Sequence, residues 1–356
     1  MNFKKRILVA PLNWGLGHAT RCIPIIKALM VQQFEPVIAC DGASLNLLKK
    51  EFPGLTYIEL PSYNITYSKH GFLLQWQLFK SIPRLLKVIR EEHKQTQNII
   101  QTHQIEGLIS DNRFGVYSIK VPSVYITHQL HVFSGFFTSW LSSKAHQQII
   151  KKHQECWIPD FENNPNLSGK LGHIKACKLN LKYIGPLSRF TKTKSKATYD
   201  IMVLLSGPEP QRSLLEEKMF SELKTFQGKA ILVKGLVEPV QTKEHNNNNN
   251  ITICNFMTSD ELEETIQNST VIISRSGYTS IMDLAKLEKK AFFIPTPGQR
   301  EQHYLARRFS KLRIAPYCQQ SEFKIDQLKK FDNYTGFSSF KNETDFKTLF
   351  SLFKSE

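Results

Sequence analysis

Chemistry in this 356-residue chain concentrates in a few glycine-bearing turns, and the first of them carries a histidine. In "PLNWGLGHATR" (Pro11–Arg21), Gly15 and Gly17 let the backbone turn sharply and lie close to a ligand. The helix that follows offers free N–H groups at its start. His18 sits at the tip of that turn and can take a proton near neutral pH; equally, a histidine there can do no more than cap the helix. A dinucleotide fingerprint needs a third glycine where this chain has Thr20. Asp41, at the end of the second strand, stands where a ribose-binding acid would be.

Three further turns supply anion and hydroxyl recognition. Ser274-Arg275-Ser276-Gly277 reads as a strand end, a glycine turn and a helix start. Its helix N-terminus carries about half a positive charge, which suits an anion. On that helix Asp283 lies one turn beyond Thr279 on the same face. It is about 9 Å along the axis from Gly277 at ~1.5 Å per residue, the offset between a diphosphate and its ribose. Tyr278, Ile281, Met282 and Ala285 form the apolar face. In "PTPGQREQHYLAR" (Pro295–Arg307), Pro295, Pro297 and Gly298 shape a stiff loop, and Glu301 and Gln302 can read several sugar hydroxyls. In "LLSGPEPQRS" (Leu204–Ser213), Ser206, Gly207 and Arg212 are available to a phosphate. Any one of these turns could be an ordinary strand–turn–helix joint. Their order, all at strand carboxyl ends, is the stronger signal.

The elements that position these turns alternate between strand and helix, which predicts α/β architecture with parallel sheets. Strands are expected at Arg6–Ala10, Pro36–Cys40, Leu55–Leu60, Gly107–Ser110, Ser123–Thr127 and Cys156–Ile158. Helices are expected over about Arg21–Gln33, Phe72–His103 with a break near Pro83, and Ser142–His153. "TKTKSKAT" (191–198) reads as a polar linker. The alternation restarts with strands at Asp200–Leu205, Ala230–Val233, Ile251–Cys254 and Val271–Ile273, and helices at Gln211–Lys224 and Asp260–Gln267. The domains so delimited are 1–190, 199–320 and a polar helical segment, 321–356. Two Rossmann-like domains facing each other across a cleft are the expectation, with ligands beyond the carboxyl ends of the strands. Asn246–Asn250 is a homopolymer run suited to an exposed loop.

Composition narrows the class. Apolar residues make up 41%, enough for packed cores. The six cysteines are scattered without C-x-x-C or zinc spacing, which fits a reducing compartment and a cytoplasmic protein. Ile7–Leu12 is too short for a signal-peptide core and fits a first strand. Net charge is +16 and uneven: residues 1–190 carry 23 Lys+Arg against 11 Asp+Glu. That excess suits an anionic partner or a merely solvated basic surface. No nucleic-acid-binding module is present to make the partner DNA or RNA. "GFLLQWQLFKSIPRLLKVIR" (Gly71–Arg90) and "HVFSGFFTSWL" (His131–Leu141) interleave aromatic and basic residues. They suit core packing, or peripheral contact with the inner face of an anionic membrane.

These motifs resemble the family 28 glycosyltransferases, MurG-like enzymes with two Rossmann-like domains (the GT-B type). Ser274-Arg275-Ser276-Gly277 with Asp283, then Pro295 to Gln302, match the donor half; Gly15-x-Gly17-His18 is similar to the N-terminal loop. "NITICNFMTSDELEETIQNST" (Asn250–Thr270) resembles the segment whose backbone reads uracil, which implies that role for Phe256 and Met257. The likeness spans roughly 1–315 and implies that 1–190 is the acceptor domain and 199–320 the nucleotide-sugar donor domain. Asp283 stands where the family usually has Glu, Glu301-Gln302 replaces a Gln pair, and Leu305 replaces an Asn. The resemblance implies transfer of a hexose or N-acetylhexosamine from a nucleotide diphosphate sugar, UDP-linked, to an acceptor hydroxyl with inversion; the acceptor is unassigned, and a lipid-linked one is among the options.

His18 would be the general base. Asp111 would orient its imidazole, unless it only bonds its own loop backbone. Helix N–H groups at Gly277, with Arg212 or Arg275, would stabilise the leaving diphosphate. No D-x-D pair is present, and His128-x-x-His131 lacks a third ligand, so neither metal nor cofactor is expected. A nucleotide-sugar epimerase and a non-catalytic nucleotide-sugar-binding protein are the competing readings. A dehydrogenase is disfavoured by Thr20.

Overall fold

The computed structural model describes residues 4–63, 71–133, 138–174, 178–236, 238–246, 250–340 and 344–354. The chain divides into two compact units, Met1–Ser188 with Asn342–Glu356, and Arg189–Lys341.

The first unit is built on parallel strands β1 (Arg6–Pro11), β2 (Glu35–Cys40), β3 (Thr56–Glu59), β4 (Ile105–Asp111), β5 (Ser123–Ile126), β6 (Glu155–Ile158) and β7 (Leu181–Tyr183). Their order is β3-β2-β1-β4-β5-β6-β7. β1, β4 and β5 are apolar runs buried over nearly their whole length, as strands covered on both faces must be. The connections run through α1 (Gly17–Val31), α2 (Gly42–Glu51), α3 (Gly71–Thr102) and α4 (Thr138–Ile150). The interruption expected at Pro83 does not occur. α3 is continuous through it, at the cost of one backbone hydrogen bond.

The second unit holds β8 (Tyr199–Leu204), β9 (Ala230–Val233), β10 (Lys243–His245), β11 (Ile251–Cys254), β12 (Ser269–Ser274) and β13 (Lys290–Phe293). They are ordered β10-β11-β9-β8-β12-β13, with only β10 antiparallel. α5 (Gln211–Leu223), α6 (Ser259–Gln267), α7 (Tyr278–Lys286) and α8 (Arg300–Lys311) connect them. α6 starts with a capping box between Thr258 and Glu261. β10 went unforeseen because Lys-Glu-His carries no apolar alternation. Of the Asn run, 247–249 lie outside the described residues, while Asn246 and Asn250 bond to each other.

Residues 191–198 are not a free tether. Thr191 and Thr193 donate to the side chains of Glu263 and Gln267, and Ser195 and Thr198 reach the carbonyls that end α6. Nor is 321–356 one helical segment. Phe323 and Phe331 join the core of the second unit. The last four-residue helix α9 (Phe346–Leu349) and the turn after it belong to the first, where Phe350 and Phe353 pack on Phe34 and Trp157. A Cβ on Gly107 would stand 2.5 Å from the Phe353 ring, so β4 needs glycine there to seat it.

Candidate active site

In an open parallel sheet the ligand crevice forms where the strand order reverses, beyond the strand carboxyl ends. In the first unit that point lies between β1 and β4, and Pro11 pairs with Asp111 across it. His18 and Asp111 therefore meet. His18 Nδ1 lies 3.0 Å from Asp111 Oδ1, with the imidazole 16% exposed and the carboxylate wholly buried. His18 is not at a loop tip, because α1 begins at Gly17 and the histidine is in its first turn. Gly15 (φ +74°) has open space where a Cβ would be.

That helical start exposes a residue that sequence reasoning missed. Arg21, three positions on and so on the same face, donates from Nε to Asp111 Oδ2 at 2.6 Å and from Nη2 to Oδ1. Its Nη1 lies 3.3 Å from Nδ1 of the buried His128. Nη2 is also 2.9 Å from His18 Nδ1. A guanidinium only donates; Nε and one N–H of Nη2 take the two carboxylate oxygens, and the second N–H of Nη2 faces His18. In the tautomer whose Nδ1–H donates to Asp111, Nε2 carries the lone pair; in the other, Nδ1 accepts from Arg21 Nη2. Burial holds His18 below its ordinary value; Asp111 pulls it up and Arg21 pushes it down again. Burial opposes the charge on Asp111, but Arg21 and then His18 outweigh it and keep the carboxyl well below the usual range. The result is a neutral imidazole against a fixed carboxylate.

Asp41 does not present a free carboxylate for a ribose. It is buried, accepts from Arg113 Nη1 at 2.7 Å and from Asn13 Nδ2 at 3.2 Å, and so braces the glycine loop from below. Arg113 in turn reaches Glu92 at 2.5 Å and the Pro61 carbonyl at 2.6 Å.

In the second unit the order reverses between β8 and β12, and the glycine turns gather there. Ser206 and Gly207 (φ +108°) are exposed beyond β8. Gly277 caps α7, and a Cβ on it would meet nothing within 4 Å. Tyr278 is buried, while Thr279 and Asp283 are half-buried on α7. Asp283 edges a small cavity of about 20 Å³ with Ser274, Ser280 and Phe190. Gly298 (φ +84°) is exposed, and Glu301 opens α8 half-buried. Phe256 and Met257 lie half-buried between β11 and α6.

Several of the predicted contacts are already engaged within the unit. Ser274 Oγ donates to the Arg275 carbonyl at 3.1 Å and Ser276 Oγ to the Gln302 carbonyl at 2.8 Å. Gln302 Oε1 accepts from the Thr296 amide at 2.8 Å, and its Nε2 donates to Gln299 at 2.5 Å. Arg212 is paired with Glu209 and Glu216, each at 2.6 Å. Arg275 is buried among carbonyl groups. Thr296, also missed in the sequence, has a buried Oγ1 without a partner, 3.6 Å from where a Gly207 Cβ would be.

Among the described residues no three His, Cys, Asp or Glu side chains gather to hold a metal ion. A larger hollow of about 350 Å³, lined by Tyr199, Lys229, His245 and Thr252 among others, lies at the amino ends of β8 and β11, the wrong edge for a crevice of this fold.

Residues 211–331 match the glycosyltransferase family 28 C-terminal domain. The chain is a glycosyltransferase. The enzyme is 24% identical over 332 residues to an uncharacterized glycosyltransferase of Methanosarcina acetivorans, covering 83% of this chain and 81% of that one. Its structure is similar to MurG of Acinetobacter baumannii (TM-score 0.59, 13% identity, 99% of each chain). It is also similar to the spinosyn rhamnosyltransferase SpnG complexed with thymidine diphosphate (TM-score 0.61, 13% identity, 98% and 96% covered). The glycosyltransferase thus has the GT-B fold, two Rossmann-like domains.

Proposed function

We propose that this glycosyltransferase moves a hexose or N-acetylhexosamine from a nucleotide diphosphate sugar, UDP-linked by resemblance, to an acceptor hydroxyl, with inversion and without a metal ion. The observation that carries the reading is the His18–Asp111 pair at the β1/β4 switch point. A neutral His18 whose Nδ1–H is held by a carboxylate has Nε2 ready to take the acceptor proton as the hydroxyl attacks the anomeric carbon. The nucleotide diphosphate leaves from the opposite face of that carbon, which inverts it.

The second unit is assigned the donor. Open space at Gly277 and the amino end of α7 suit the diphosphate, with Gly207 beside it. Asp283 is assigned to the ribose, the Phe256–Met257 backbone to the base, and Glu301 with Gln302 to the sugar. The thymidine diphosphate bound by the structural neighbour SpnG supports a nucleotide diphosphate donor. A thermal-shift screen over UDP-, GDP- and dTDP-sugars tests it: stabilisation by one nucleotide series is the expected result, and none with any series contradicts the reading.

A lipid-linked acceptor at a membrane face is the finer proposal. No described helix is long and apolar enough to cross a membrane. Side chains 71–82 and residues 134–137 lie outside the described residues, but Trp140 and Leu141 are 67% and 60% exposed, and Leu86 stands between exposed Arg84 and Lys87. Flotation with anionic vesicles at low and high salt tests this contact. Salt-sensitive flotation is expected, and none at low salt removes the idea.

A further inference from the structure

Arg275 combines burial, full charge and the absence of an acidic partner. Its side chain is 1% exposed. Nη1 donates to the carbonyls of Ile294 at 3.0 Å and Pro295 at 3.2 Å; Nη2 donates to the Gln211 carbonyl at 2.7 Å and to Gln320 Oε1 at 2.7 Å. Nε is buried without a partner. Every acceptor is neutral, whereas the other wholly buried arginines of the chain, Arg21 and Arg113, each sit on carboxylates. A buried charge without a counter-ion is costly and is normally paired. Burial alone lowers Arg275 to about 10, still fully charged at neutral pH.

The position of the charge is as informative as its isolation. Its backbone acceptors are Gln211, the first residue of α5 at the end of the turn after β8, and Ile294 and Pro295 in the loop after β13; Gln320 lies beyond α8, and Arg275 itself is in the turn after β12. One side chain therefore ties together the three turns assigned to the donor, two residues before the Gly277 cap. We infer that Arg275 is the resident counter-charge of the donor diphosphate, a positioning residue that locks these three turns while leaving its own positive charge unmatched until the anion arrives. The inference rests on the nucleotide diphosphate reading. It differs from a direct contact, because the N–H groups of both terminal nitrogens are engaged with the protein, and the charge acts through its field and through the turns it holds.

Gln320→Glu tests it without touching Arg275. The substitution keeps the side-chain shape and the accepting oxygen but brings a carboxylate to the guanidinium. A new buried pair should hold or raise the melting temperature. The same change cancels the charge beneath the diphosphate, and affinity for UDP (or dTDP, whichever the enzyme binds), measured calorimetrically, should fall by about tenfold. Affinity for the bare nucleoside should change less than about twofold, since it carries no phosphate charge. A raised melting temperature with unchanged diphosphate affinity overturns the inference and leaves Arg275 a staple only.

Arg275→Lys and Arg275→Gln give a second arm. Diphosphate affinity retained in the lysine variant and lost in the glutamine variant is expected. Equal losses in both, shared by the nucleoside, overturn it. A wild-type enzyme that binds neither diphosphate removes the donor reading itself, and this inference with it.

Discussion

Replacing Arg21 by Met tests how the first-unit site is held together. The substitution keeps much of the side-chain volume but removes a guanidinium that touches both oxygens of a carboxylate with no solvent exposure. What remains to Asp111 is His18 Nδ1 at 3.0 Å, Asn112 Nδ2 at 3.4 Å and the Cys22 thiol at 3.7 Å. Stripping one partner from a buried pair costs about 3–5 kcal/mol. At roughly 2–4 °C per kcal/mol for a domain of this size, the melting temperature should drop by about 6–20 °C. The pH profile should move as well. Arg21 is one of the influences that hold His18 down and Asp111 is the one that raises it. Without Arg21 the histidine gains protons more readily, and the acid limb of kcat/KM should shift to higher pH. Arg21→Lys keeps the charge but not the fork and should recover the profile more than the stability. A melting temperature within about 2 °C of wild type, with an unmoved acid limb, would refute the reasoning.

Further outcomes follow from the same geometry. Gly277→Ala should fold normally, losing no more than about 1 kcal/mol as an N-cap change, because its Cβ enters open space. If that space belongs to the donor, calorimetry should show UDP or dTDP affinity reduced by at least about tenfold; unchanged affinity removes the diphosphate from this turn. His146 and His153 are both pushed down to about 4 by burial. The unfolded chain therefore binds more protons between pH 6.5 and 4, and stability falls as pH falls through that window. By pH 5 each should have cost about 2 kcal/mol. Thermal melts at pH 7 and 5 should separate, and the separation should shrink in His146→Gln; coincident melts contradict the burial argument.

Much of the fold was legible because every strand pairing but that of β10 with β11 is parallel. Strands such as Ile7–Ala10 and Val271–Ile273 are unbroken apolar runs, and the glycine turns after them are chemically distinct. β10 and the short α2 were illegible for the opposite reason, since neither carries a clear periodicity. The C-terminal stretch misled because its phenylalanines, widely spaced among polar residues, serve two different cores. At the site, His18 stood out as a titratable group in a glycine turn, and the β1–β4 pairing explains why Asp111 reaches it. Arg21 was hidden by one misplaced boundary. With the helix starting at Gly17 rather than Arg21, the His-x-x-Arg spacing becomes a shared face. Thr296 and the isolation of Arg275 depend on what surrounds a side chain in three dimensions, which no local pattern encodes.

The most direct measurement compares turnover and donor binding in His18→Ala. With the proton acceptor gone, transfer to the acceptor hydroxyl should fall by roughly 10²–10⁴-fold, while the dissociation constant for the nucleotide diphosphate stays within about twofold, as expected when binding does not depend on the base. Wild-type turnover in that variant, or a loss of nucleotide affinity that accounts for the whole defect, would contradict the assignment of His18 as the base.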